Sequence, residues 1–138
     1  MPASDIIHNA VKNALIKDGW TITADPFTIE YQGIKLYADL GAERPIAAER
    51  AGRKIVVEIK SFLSPSRIHD LELALGQYDL YRGYLELTAP EHELYLAVGS
   101  DVYDSFFEQE AIQVIVERYS LRLIVVKLES EEIAKWIS

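Results

Sequence analysis

The chain contains no cysteine in 138 residues. That absence excludes disulfides, thiolate metal sites and a cysteine nucleophile. Histidine is scarce too: only His8, His69 and His92 could supply nitrogen, which disfavours tetrahedral zinc. No apolar run approaches the roughly 18–20 residues that span a bilayer, and no apolar signal core marks the N-terminus. The expectation is a soluble, cytoplasmic protein with no membrane partner. No glycine-rich strand-to-helix turn has the spacing that cradles phosphate. Ser61, Ser64 and Ser66 are present, but no Gly-x-Ser-x-Gly elbow surrounds any of them. Positive charge is in short supply as well. Lys and Arg number 14 against 22 Asp and Glu, a formal net charge of −8. Autonomous DNA binders carry a basic footprint, so this composition argues against a strong, independent duplex-binding enzyme. The few basic residues gather at Arg44, Arg50, Arg53 and Lys54, and again at Arg67 and Arg82.

What is present suits one domain over residues 1–138. Hydrophobic residues make up 49% of the chain, enough to fill a core, and neither repeat, low-complexity tract nor linker interrupts it. Apolar residues Ile7, Val11, Ala14 and Leu15 recur at helical spacing, predicting a first helix over residues 4–18, with Ser4 as its N-cap and Gly19 as its stop. Extended segments follow at 20–25, 28–31 and 35–39, with Gln32-Gly33 as a turn. Ala51-Gly52 reads as a tight hairpin turn between two more strands. A helix over about 66–86, a strand over 93–98 and helices over 101–107 and 111–119 come next. The run Leu121 to Val126 predicts a strand buried on both faces and parallel to a neighbour, and residues 131–137 a short last strand. The order gives a mixed-sheet α/β fold.

The most informative segment is Arg53-Lys54-Ile55-Val56-Val57-Glu58-Ile59-Lys60. Its β-branched centre favours a strand. With a period of two, Glu58 and Lys60 point to one side and Ile59 to the other. Such a pair can be an ordinary surface ion pair. At the end of an apolar strand, however, it is an expensive arrangement unless both groups are paired or bound. The hairpin at Ala51-Gly52 would bring Asp39 or Glu49 back beside Glu58. Converging carboxylates bind a hard cation such as Mg²⁺ or Mn²⁺. Gln77 and Tyr81, at i and i+4, share one face of the following helix. Tyrosine there would stack or hydrogen bond, and glutamine would reach a phosphate or base edge; standing alone, the pair reads as a glutamine at a helix boundary and a tyrosine in the core.

Asp39, then Glu58-Ile59-Lys60, then a helix carrying Gln77-x-x-x-Tyr81, resembles the PD-(D/E)xK nuclease superfamily. The usual proline before the first Asp is absent, since residue 38 is Ala. The opening residues from Met1 to Trp20 are similar to the XisH family, the fdxN element excision controlling factors of cyanobacteria. So are Asp39-Leu40-Gly41-Ala42-Glu43, Ala48-Glu49-Arg50, Val57 to Phe62 and Ala74 to Gln77. The resemblance implies a restriction-endonuclease-like core: a helix, a three-stranded hairpin sheet, a helix and further strands. It implies a part in programmed DNA excision with DNA, a small XisI-like protein and a site-specific recombinase as partners. Asp39, Glu58 and Lys60 would then be catalytic, Asp39 and Glu58 with Glu49 in reserve would hold Mg²⁺ or Mn²⁺, and Gln77 and Tyr81 would contact nucleic acid. Asp5 and His8 are further acidic-site candidates on the first helix. The alternative is a non-catalytic regulatory subunit that uses a nuclease fold for binding. A homo-oligomer is expected, with Phe106, Phe107 and Trp136 forming an exposed partner surface.

Overall fold

The computed structural model describes residues 3–36 and 45–138. The elements run α1 (Ala3–Lys17), β1 (Thr21–Ala24), β2 (Ile29–Tyr31), β3 (Ile34–Leu36), β4 (Ile46–Arg50), β5 (Arg53–Ile59) and α2 (Arg67–Thr88). There follow β6 (His92–Gly99), a short α3 (Ser100–Val102) that continues into a π-helical turn (Tyr103–Phe107), α4 (Glu110–Arg118), β7 (Leu123–Lys127) and β8 (Glu132–Ile137). Six strands form one mixed sheet in the order β1-β4-β5-β6-β7-β8, and β2-β3 form a separate hairpin. The pairs β1/β4, β4/β5 and β7/β8 are antiparallel, whereas β5/β6 and β6/β7 are parallel.

Local chemistry sets the element ends. Ser66 caps α2, its hydroxyl accepting a hydrogen bond from the His69 amide at 3.2 Å. The β4–β5 turn places Ala51 at φ 50° and Gly52 at φ 82°, the two left-handed positions of a two-residue hairpin. Helix α1 begins at Ala3, so Ser4 lies inside it rather than capping it. The period-two signal of β5 divides its residues between two cores. Ile55, Val57 and Ile59 join Ile7, Val11 and Leu15 of α1 on one face of the sheet. Val56 joins Leu71, Ala74, Tyr78, Tyr81 and Leu85 of α2 on the other. β7 is buried throughout its first four residues and lies parallel to β6, as its apolar run requires.

Phe106 and Phe107 do not form a surface. Both are buried in the α2-side core, where Phe107 packs edge-on to Phe62 with ring centroids 5.3 Å apart. Trp136 is half-buried and packs against Trp20 and Tyr95.

His8 and Lys12 of α1 converge on Asp25, each at 2.8 Å. Burial works to raise the Asp25 pKa, but the Lys12 hydrogen bond and the His8 charge outweigh it and hold the carboxyl below the ordinary range. A carboxyl depressed in the folded state stabilises above its unfolded pKa, and that contribution is lost as pH falls through the folded value. Asp25→Asn should therefore lower the Tm relative to wild type at about pH 6, and the two melting curves should converge below about pH 3. A gap that stays constant over that range would show that the Asp25 charge contributes nothing.

Candidate functional site

Among the described residues Glu58 is the one charged residue that is buried, 1% exposed, and it stands at the C-terminal end of β5. It shares the α2-facing side of the sheet with Val56. β4 begins at Ile46 opposite Val57, so Glu58 lies beyond the end of β4, and its partner in β6 is Leu96. In sheets with parallel strands, ligands gather at the carboxyl ends of those strands, and β5 and β6 run parallel here.

Lys60 follows β5, its amide held by the Ala97 carbonyl at 3.1 Å. Its ammonium approaches the Glu58 carboxylate at 3.8 Å and keeps 15% of its side chain exposed. The sequence reading that put both groups on one side is met. Lys60 opens onto a cavity also lined by Ser61, Phe62, Ser64 and Asp70. The pair therefore has a buried acidic end and an accessible basic end.

Helix α2 closes the other wall. Tyr81 is 2% exposed, and its pKa is pushed up to about 12, first by burial and then by the Glu58 charge. Tyr81 therefore lies within electrostatic reach of Glu58, as a buried wall residue and not as an exposed platform for base stacking. Gln77, one turn earlier on the same side, is half-buried, and its Oε1 is buried with no hydrogen-bond partner among the described residues. Tyr78 was not singled out from the sequence. Its hydroxyl donates to the Leu94 carbonyl at 3.1 Å and accepts from the Arg122 amide at 3.2 Å, tying α2 to β6 and to the start of β7. Burial is the main cause that raises its pKa, and the Glu58 charge adds to it. The spacing of Leu71, Ala74, Tyr78, Tyr81 and Leu85 carried that signal.

Several other candidates are placed elsewhere. Asp39 lies outside the described residues. Glu49 is exposed and pairs across the hairpin with Lys54. Lys54 is four residues from Glu58 along β5, about 13 Å at strand rise. The hairpin thus carries Glu49 away from Glu58, because β4 and β5 diverge in sequence from a turn at their far end. The same turn puts Arg50, Arg53 and Lys54 at the end of the strand remote from Lys60. His8 belongs to α1, across the sheet, and is engaged by Asp25. The side chain of Asp5 lies outside the described residues. Among the described residues no group of three or more His, Asp or Glu forms a metal-binding cluster, and no helix is long and apolar enough to cross a membrane.

These features define a mixed α/β domain with a buried carboxylate and a partly open lysine at the carboxyl edge of its parallel strands. The XisH family model, described as XisH protein, matches residues 1–134. The chain belongs to the XisH family. It is 42% identical to an XisH family protein from Nostoc punctiforme, with 97% of this chain and 100% of that one covered and a TM-score of 0.90. It is 43% identical to a fdxN element excision controlling factor protein from Anabaena variabilis, with coverages of 97% and 99% and a TM-score of 0.89. None of the curated proteins matches.

Proposed function

We propose that this XisH family protein acts in programmed excision of a DNA element, through a nuclease-like site built on Glu58 and Lys60. The observation that carries the reading is the buried Glu58 carboxylate with the Lys60 ammonium at 3.8 Å on its open side. A solvated surface pair would have no need of that burial, and taking a carboxylate out of water carries a cost. The order of α1, antiparallel β1-β4-β5, α2 and parallel β6 supports a restriction-endonuclease-like core.

The donor set suits a hard cation. Glu58 offers a carboxylate, and the partnerless Oε1 of Gln77 is an amide oxygen of the kind such cations accept. Asp39 is the further expected ligand. It lies outside the described residues and comes from the resemblance to the nuclease superfamily. Mg²⁺ or Mn²⁺ bound there would supply charge stabilisation for phosphodiester hydrolysis. Lys60 would hold the attacking water and offset negative charge on the phosphate oxygens. The buried rings of Tyr78 and Tyr81 would exclude water from the closed side. Gln77 would position the nucleic-acid backbone.

A second reading is a regulatory subunit that binds an XisI-like protein or a recombinase without cleaving. The net charge of −8 favours it, because self-repulsion opposes approach to a polyanion. Thermal melting with Mg²⁺ and Mn²⁺ tests the first reading. A ligand at 100 times its Kd stabilises by about 2.7 kcal/mol, a rise of several degrees for a domain of this size. Glu58→Gln should erase the rise. A full metal-dependent rise in that variant, or none in wild type, would leave the regulatory reading standing.

A further inference from the structure

Helix α2 is apolar on two opposite sides. Leu71, Ala74, Tyr78, Tyr81 and Leu85 face the core. At 100° per residue, Leu73, Leu80 and Leu87 fall on the opposite, outer side, where they are 54%, 53% and 62% exposed. Their spacing of seven matches a helix-packing seam. Gly76 and Gly83 lie on the same seam, alternating with the leucines. A Cβ added at either glycine would meet nothing within 4 Å, and neither has a positive φ. Within this chain nothing requires a glycine there, and each weakens the helix relative to alanine. Glycine does permit the backbone of another element to approach closely.

Along one edge of the seam run Glu72, Asp79 and Glu86, again seven apart and all exposed. Asp79 is held at 3.0 Å by Arg82 of the same helix. The opposite edge carries Asp70, Gln77 and Tyr84, and Tyr84 packs on Tyr31 of β2 with ring centroids 5.8 Å apart. A second copy packed antiparallel on this seam would bring two acidic rows together, and a parallel copy would set each acidic row against the edge that carries Asp70, in a protein already at −8. Charge complementarity selects a different occupant.

We infer that the outer face of α2 is a docking site for a partner helix that carries apolar residues at three- and four-residue spacing and a row of Lys or Arg along one edge. The leucines of α2 fill spaces between the partner's side chains. Gly76 and Gly83 let the two backbones close, and the acidic row sets the partner's orientation. The inference does not draw on the Glu58–Lys60 chemistry, and the two regions meet only at Leu73, which also lines the cavity onto which Lys60 opens.

The test uses the full chain and two stapled helical peptides with identical leucine stripes, one with a lysine row and one with a glutamate row, followed by fluorescence anisotropy. The lysine peptide should bind, more weakly as salt rises, and the glutamate peptide should bind roughly tenfold or more less tightly. Leu80→Gln should remove binding while leaving the Tm unchanged, since Leu80 touches no core. Gly76→Ala with Gly83→Ala should raise the Tm yet weaken binding, opposite signs that a purely structural role for these glycines would not give. Equal binding of both peptides, binding of neither, or concentration-dependent self-association abolished by Leu80→Gln would overturn the inference.

Discussion

Lys60→Ala is expected to lower any DNA cleavage or excision supported by this protein by roughly 10²–10³, the loss typical when a charge aimed at a developing oxyanion is removed. The expectation follows from position. Lys60 is partly exposed beside a cavity, while its carboxylate neighbour is closed off by β5 and α2. Removing the ammonium also takes one cation away from the buried Glu58 carboxylate, which destabilises the fold. Activity must therefore be read at a temperature where circular dichroism shows the variant folded. Lys60→Arg is the companion variant. It keeps the charge beside Glu58 and restores stability, but its planar head fits a compact site poorly. Folded Lys60→Ala supporting excision equal to wild type, with a partner present, would remove Lys60 from the chemistry.

Phe107→Ala should destabilise the domain by about 3–5 kcal/mol, a large part of the 5–15 kcal/mol that holds a domain of this kind together. Phe107 is fully buried and meets three rings, those of Phe62, Tyr103 and Phe106. An exposed interface residue, as the sequence alone suggested, would change stability by no more than about 0.5 kcal/mol. Urea unfolding separates the two outcomes through the midpoint, with the slope unchanged if unfolding stays two-state. A loss under 1 kcal/mol would mean that the turn repacks without the ring.

Strand β5 was legible because its two signals agree. The β-branched run fixed the element, and the period of two fixed which side Glu58 and Lys60 share. α2 was legible as a helix over about 66–86 with Gln77 and Tyr81 one turn apart. The burial of Tyr81 was one of two readings the sequence left open, since residues on one helix face can lie at its centre or at its edge. Residues 106–107 misled for a related reason. Two adjacent aromatics in a short helix point about 100° apart, so their spacing does not say whether both enter the core, as they do here.

The sequence by itself determined the elements, the α/β order and the pairing of Glu58 with Lys60, because helix caps, hairpin turns and strand alternation act over a few residues. Only the tertiary structure decided what those elements meet. It sent Glu49 to the far end of the hairpin, because antiparallel register carries residues apart as they near the turn. It buried Glu58 between β5 and α2, because a position just past the end of β4 is still covered by the helix. It left the second apolar side of α2 open, since a helix can lay only one side against a sheet, and its sequence does not say which.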